Sequence, residues 1–405
     1  MIAVTTLADK EILLGVCGGI AAYKACDWTR ALRREGAAVT VVMTEAAGRF
    51  VAPLTFAALS GRKVHGSMFA AEEAEQIPHI ALARKAEAVL IAPATAQTIA
   101  RLAHGLADDL LATVVLATSA RVVVCPAMNS QMYRHPATQA NLAKLREYGY
   151  TIVEPACGTM ACGEEGPGRL VEWEEARQAL LGALSRQDLA GVEVLVTAGP
   201  TREPLDPARL LTNRATGRMG YAVAAAAKQR GARVTLVSGP SELSPPAGVE
   251  LVRVTSALEM HREVLARASK MAVIVKAAAV ADFRPAATSG KKVKKGAAAT
   301  TLELTANPDI LKELGEKKAR AKRFPLLVGF AAESHNVRAE AAKKLKAKNL
   351  DLIVANDITA ADAGFAATTN RVLLLDRQGN EQQLPLLTKE ETAHRIWDAV
   401  LTLHR

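Results

Sequence analysis

The chain predicts an α/β protein, built as two doubly wound parallel-sheet domains in series. Three observations carry this. Short apolar runs alternate with amphipathic, alanine-rich stretches along most of the length. A strand-like run ends on a glycine turn twice, at Ile12–Gly19 and again at Val192–Pro200. Other runs end in small polar turns, at Thr44, Pro93-Ala94-Thr95 and Pro126-Ala127-Met128-Asn129. In a parallel α/β sheet such turns share one edge, and ligands bind there.

The first turn sits in EILLGVCGGIAAYK, Glu11–Lys24. Ile12–Val16 reads as a strand, and Ile20 to about Arg34 as a helix. Glycines between them let the backbone come close to a ligand, and the helix N-terminus suits a phosphate. The spacing Gly15-x-x-Gly18-Gly19 is not the G-x-G-x-x-G dinucleotide fingerprint. Ala38–Thr44 reads as the next strand, with Thr44 a helix N-cap or a hydroxyl for the same phosphate. Strand Ala88–Ala92 follows, then helices Ala96–His104 and Asp108–Thr118, then strand Val122–Cys125. His79, just before a helical stretch, is a proton-transfer candidate or a capping histidine. Asn129, after a strand, is a carboxylate binder or a turn former. Ala156–Arg169, ACGTMACGEEGPGR, holds four glycines and a proline and is expected to be a mobile lid loop rather than a regular element. Cys162 in its middle can give or take a proton, and Arg169 can reach a phosphate. Helix Trp173–Leu184 closes this half.

Polar Leu184–Gly191 marks the boundary, giving domains 1–189 and 190–405. Strand Val192–Thr197 leads into a rigid loop with Pro200, Pro204 and Pro207, and Asn213–Gly220 opens the helix Tyr221–Arg230. Strand Arg233–Val237, helix Ala257–Lys270 and strand Ala272–Val275 continue the alternation. Asp282 then stands where it can hold Mg2+ or a nucleotide. Lys291–Lys295 is a solvated run or a basic arm over phosphates. Asn307-Pro308-Asp309-Ile310 caps a helix, Phe330 ends a strand and can stack on a base, and Lys344 and Lys348 share a helix face. Asn356-Asp357 closes the last parallel strand, before a hairpin at Val372–Leu384 and a terminal helix Lys389–His404.

Composition narrows the function classes. Half of the 405 residues are apolar and 23% are charged, an ordinary soluble balance. No apolar run reaches the roughly 18 residues of a membrane span. MIAVTTLADKE lacks a basic stretch followed by an apolar core, so no signal peptide is expected and the cytoplasm is the expected location. Five cysteines lie in the first half, with no CxxC pair, so reduced thiols are expected. The net charge of +10 suits small phosphorylated anions; the basic clusters lack interleaved aromatics, which argues against nucleic acid.

GVCGGIAAYK, the PHI segment, PAT, PAMN and ACGEEGPGR, in that order, resemble the flavin-containing cysteine decarboxylases. TAGPTREPLDP, ADFRP, KKVKK, NPDI, VGFAAE and NLDLIVAND resemble the phosphopantothenate–cysteine ligases. Together they narrow the resemblance to the bifunctional decarboxylase–ligases of bacterial coenzyme A synthesis, over about residues 10 to 400. The resemblance implies Rossmann-like or flavodoxin-like domains, the first a decarboxylase and the second a ligase. It implies FMN on Gly18, Gly19, Thr44, Ala94 and Thr95, with His79 as base, Asn129 as carboxylate binder and Cys162 as proton donor. It places Asn213 against 4′-phosphopantothenate, and Asp282, Lys292, Asn307, Pro308, Asp309, Ile310, Phe330, Lys344 and Lys348 against CTP, with Mg2+ entering on the nucleotide phosphates. Cysteine is the other substrate, and the implied assembly is a homo-oligomer with a trimer-based decarboxylase core and ligase dimers. Two departures stand out: Cys17 where serine is usual, and Thr216-Gly217-Arg218 where Ser-Gly-Lys is usual. The competing reading is a nicotinamide-dependent oxidoreductase of two α/β domains, disfavoured by the missing fingerprint.

Overall fold

The computed structural model describes residues 6–69, 77–292, 301–333, 335–357 and 369–404. Val293, Lys294 and Lys295 of the basic run, and the first five residues of the N-terminal stretch, lie outside them. The chain divides into two compact units, Met1–Arg186 and Gln187–Arg405.

In the first unit six strands, β1 (Glu11–Val16), β2 (Ala38–Met43), β3 (Val64–His65), β4 (Ala88–Ala94), β5 (Arg121–Pro126) and β6 (Thr151–Ile152), form one parallel sheet. Its order is β3-β2-β1-β4-β5-β6, so the order reverses between β1 and β4. A sheet covered on both faces needs apolar residues on both, which is why β1 and β4 carry the consecutive apolar runs Ile12-Leu13-Leu14 and Val89-Leu90-Ile91. The helices are α1 (Lys24–Arg34), α2 (Pro53–Ser60), α3 (Pro78–Lys85), α4 (Ala96–His104), α5 (Leu110–Ala117), α6 (Ser130–Arg134), α7 (Pro136–Glu147) and α8 (Trp173–Leu184). On one face Trp28, Leu32, Phe56 and Leu180 pack with Ile12, Leu14 and Leu90. On the other Ile99, Leu111, Val115 and Leu142 pack with Leu13, Val89 and Ile91. A Cβ at Gly15 would stand 2.6 Å from Leu111 Cδ1, so a side chain there would have to displace Leu111.

Residues 156–169 do not form the expected irregular loop. They make an antiparallel hairpin, β7 (Ala156–Thr159) with β8 (Glu165–Arg169). Its glycines answer to close backbone approach rather than to looseness. A Cβ on Gly168 would lie 2.2 Å from the Met128 carbonyl oxygen, and one on Gly166 would lie 2.5 Å from Ser130 Oγ. The hairpin is therefore seated on α6 and the turn before it.

The second unit repeats the plan. Its strands are β9 (Glu193–Ala198), β10 (Arg202–Pro204), β11 (Leu210–Thr212), β12 (Arg233–Ser238), β13 (Glu250–Arg253), β14 (Val273–Lys276), β15 (Phe283–Pro285), β16 (Leu304–Ala306), β17 (Leu326–Glu333), β18 (Leu352–Asp357), β19 (Thr369–Asn370), β20 (Val372–Asp376), β21 (Glu381–Gln383) and β22 (Leu387–Thr388). Its helices are α9 (Arg218–Gln229), α10 (Ala257–Ala268), α11 (Ile310–Arg320), α12 (Val337–Ala347) and α13 (Lys389–His404). The main sheet runs β13-β12-β9-β14-β17-β18-β20-β21, and its first six strands are parallel. Counted within the unit this is the order of the first sheet, with the reversal now between β9 and β14. It departs from a purely parallel sheet at one edge, where β20 and β21 add antiparallel strands. β21 follows β20 across a short turn, and a tight hairpin, unlike a crossover, can only pair antiparallel.

Two buried contacts fasten α13. Trp397 Nε1 donates to the Val223 carbonyl at 2.9 Å. Arg230, 2% exposed, binds Asp188 at 2.7 Å, Asp398 at 2.8 Å and the His394 carbonyl at 3.1 Å. The same arginine thus ties the segment before β9 to α9 and α13.

Candidate functional site

At the carboxyl edge of the first sheet, beside the reversal between β1 and β4, lies a cavity of about 690 Å³. The elements that build it follow from local sequence. Gly18-Gly19 follows β1, and the next turn, Ile20–Tyr23, is a tight 3-10 turn with no side-chain cap at Gly19. A Cβ on Gly19 would have nothing nearer than Thr95 Cγ2 at 3.9 Å, so the backbone there faces open space. Thr95 caps α4, its hydroxyl accepting from the Thr98 N–H at 3.3 Å. Pro93, Ala127, Met128 and Met132 supply apolar wall, and Lys24 and Arg169 bring positive charge.

Asn129 and Cys162 meet at this cavity although 33 positions separate them. Asn129 caps α6, its side-chain oxygen accepting from the Gln131 N–H at 2.8 Å. That fixes the amide nitrogen outward, where it lies 3.6 Å from Cys162 Sγ and donates to Glu164 Oε2 at 2.7 Å. Cys162 is exposed, at the tip between β7 and β8. Ser130 Oγ donates to the Pro167 carbonyl at 2.8 Å and clamps the base of the same hairpin.

Of the sequence-predicted residues, Gly18, Gly19, Thr95, Asn129, Cys162 and Arg169 line the cavity. Ala94 is fully buried in β4 and can offer only backbone. Thr44 caps the 3-10 turn after β2 and accepts from the Ala47 N–H at 3.3 Å; it does not line the cavity. His79 lies in the first turn of α3, half-buried, and also stands off the cavity. Cys17 is wholly buried, where burial pushes its thiol up to about 11, with Thr98 and Thr95 pulling the other way. It acts as core and does not face the cavity. Sequence reading missed Glu164; its place three positions before a Pro-Gly-Arg closure carried no signal of its own.

In the second unit, charged side chains gather at the carboxyl ends of β14 and β17. Lys344 pairs with Glu333 at 2.6 Å, and Lys348 with Asp309 at 2.8 Å. Asp309 caps α11, accepting from the Lys312 N–H at 3.1 Å. Burial works to raise its pKa, but the Lys348 ammonium and that N–H prevail and hold it below the usual range. Asn307 is spoken for within the chain: it donates to the Ala281 carbonyl at 2.9 Å and accepts from Arg284 at 3.0 Å. Asn213 likewise donates to the Ala279 carbonyl at 2.6 Å and accepts from the Ala215 N–H, tying its loop to the segment after β14. Ile310 is buried, so only its backbone can meet a ligand, whereas Phe330 is half-buried in β17. Pro308 is half-buried before the α11 cap, and Asp282 and Lys292 are exposed. Among the described residues no three His, Cys, Asp or Glu side chains are grouped to hold a metal. No helix among them is long and apolar enough to cross a membrane.

Residues 2–185 match the family described as Flavoprotein, and residues 189–403 match the DNA/pantothenate metabolism flavoprotein C-terminal domain. The chain is 46% identical over 403 residues to the coenzyme A biosynthesis bifunctional protein CoaBC of Bacillus subtilis, covering 98% of each chain. It is 44% identical over 401 residues to the protein of the same name from Escherichia coli, again covering 98% of each. A solved structure of the C-terminal domain of a CoaBC protein aligns with 54% of this chain and 97% of its own, at 42% identity and a TM-score of 0.46.

Proposed function

The chain belongs to the family of coenzyme A biosynthesis bifunctional proteins, and from that premise we infer how its two units divide the chemistry. It is a bifunctional enzyme that joins cysteine to 4′-phosphopantothenate and then decarboxylates the product to 4′-phosphopantetheine. The second unit is the ligase and the first, a flavoprotein, is the decarboxylase. The observation that carries the decarboxylase reading is the meeting of Asn129 and Cys162 over one cavity.

FMN suits that cavity by its donor set. Uncapped N–H groups at Gly19, the Thr95 hydroxyl and Lys24 or Arg169 match a phosphate, and the Pro93, Ala127, Met128 and Met132 wall matches a flat apolar ring system. When bound, FMN supplies the reversible two-electron sink that a plain α-amido carboxylate lacks. The protein supplies the rest. Asn129 holds the carboxylate that leaves as CO2, with a neutral amide that grips the ion without neutralising it. The Cys162 thiol delivers the proton that restores saturated carbon after CO2 has left. The β7–β8 hairpin covers the site and keeps out bulk water.

For the ligase, an oxygen of the 4′-phosphopantothenate carboxylate attacks the α-phosphorus of CTP, and the bond to the β-phosphate breaks with release of pyrophosphate. The cysteine nitrogen then attacks the acyl carbon, CMP departs, and the nitrogen gives up its proton. Lys292, Lys344 and Lys348 balance charge developing on the phosphates. Mg2+ arrives on those phosphates, with Asp282 an exposed carboxylate available to it; such an ion commonly keeps waters and takes only one or two protein carboxylates. The work takes place in the cytoplasm.

A second copy of the chain completes the decarboxylase site. His79 stands off its own cavity, yet exposed Ile77 lies two positions before it, and exposed Ile20 and Tyr23 rim the cavity. A contact between these two surfaces is head-to-tail, the kind from which a ring such as a trimer is built; the proposed ligase units pair as dimers. Incubation with 4′-phosphopantothenate, cysteine, Mg2+ and either CTP or ATP, with mass detection of both products, tests the whole reading. Absence of the cysteine conjugate with both nucleotides would sink it.

A further inference from the structure

We propose that Lys276 is an additional cation for the nucleotide phosphates in the ligase unit. The proposal rests on the ligase reading above. Lys276 is the last residue of β14, the strand at which the sheet order reverses, aligned with Thr197 of β9 and Gly329 of β17. Its surroundings are charged and named: Asp309 at the cap of α11, Lys348 just past α12, and Asp282 beyond β14. Thr197 and Gly329, its neighbours in register, do not titrate near neutral pH.

The partners within this cluster are unevenly shared. Lys344 holds Glu333, and Lys348 holds Asp309. Among the described residues Lys276 has no carboxylate at ion-pair distance; its ammonium donates to the Ala278 carbonyl at 3.3 Å. A half-buried ammonium without a counter-ion, at the switch point where α/β sheets bind ligands, is a ready receptor for an anion. Burial foremost, and then the Lys348 charge, bring its pKa down to about 8. A triphosphate arriving beside it reverses that balance, so near pH 8 binding draws a proton from solution.

Calorimetry of the full chain with CTP, in buffers of different ionisation enthalpy at pH 8, reads both effects. The wild type takes up a fraction of a proton on binding. Lys276→Met lowers CTP affinity by about tenfold or more, abolishes the uptake, and leaves affinity for cytidine unchanged. Lys276→Arg keeps most of the CTP affinity but loses the uptake, because its guanidinium stays charged. The inference is overturned if Lys276→Met binds CTP as the wild type does, or loses cytidine to the same extent. A folded wild type that binds no CTP overturns the ligase reading and this inference with it; CTP binding untouched by either variant overturns this inference alone.

Discussion

The Asn129 amide donates to the Glu164 carboxylate at 2.7 Å, so the tip of the hairpin is fastened to the cap of α6 by a carboxylate of the chain itself. The amide read as a receptor for the substrate's acid group already holds an acid group. Asn129→Asp sets two carboxylates against each other. Amide exchange over 159–166 should then quicken severalfold, and decarboxylation should fall. Hydrogen exchange followed by mass spectrometry checks the first effect; an unchanged exchange rate would show that this bond does not hold the hairpin.

Cys162→Ser tests proton delivery. A hydroxyl is a far weaker acid than a thiol, and general-acid catalysis contributes about 10²- to 10⁴-fold. Turnover should drop within that range while the oxidative step survives, so the visible flavin band stays bleached after substrate is added. Normal turnover in this variant would remove Cys162 from the role.

Lys292→Gln separates the halves. Lys292 is exposed, so folding should be indifferent to the change. Pyrophosphate release should slow by about tenfold or more if its charge serves the phosphates, while supplied 4′-phosphopantothenoylcysteine should be decarboxylated at the wild-type rate. Loss of both activities would mean that the two units cannot be assayed apart.

His394 makes a prediction about pH and stability. It is 2% exposed, and burial first, then the Arg230 charge, lower its pKa to about 4. Its unfolded value is near 6.5. Between these values the unfolded chain binds the extra proton, so this stabilisation is complete above pH 6.5 and fades as the pH falls toward 4. The shift amounts to about 3 kcal/mol. His394→Gln should flatten the fall in urea midpoint of the second unit's unfolding transition between pH 7.5 and pH 5. An equally steep fall would assign the effect elsewhere.

Much of the fold was legible because buried strands and capped helices leave plain marks. Ala96–His104, Trp173–Leu184 and Lys389–His404 end where the periodic pattern ends. What escaped was short or rich in glycine. β3 is two residues long, and Glu250–Arg253 of β13 looks like any polar connector. α2 begins at Pro53 and has no amphipathic stripe to announce it. The hairpin escaped because Gly158, Gly166 and Gly168 sit at φ of 149°, 153° and 154°, where other residues rarely go, so no strand-forming residue type marks it. The cavity side of the site was readable from motifs. That Asn129, Asn213 and Asn307 bond within the chain was not, because an asparagine looks the same whether it awaits a ligand or closes a turn.

The margins of the two sheets carry a consequence for how copies can associate. The first sheet stops at β3 and β6, two residues each. The second stops at β13, four residues, and at β21, whose Glu381-Gln382-Gln383 are all exposed and polar. Margins so brief or so hydrophilic offer a neighbouring backbone little to zip onto. Self-association through strand addition is thereby discouraged. At these two sheets, a contact between copies is left to side chains on helices and turns, where it can be specific and can end.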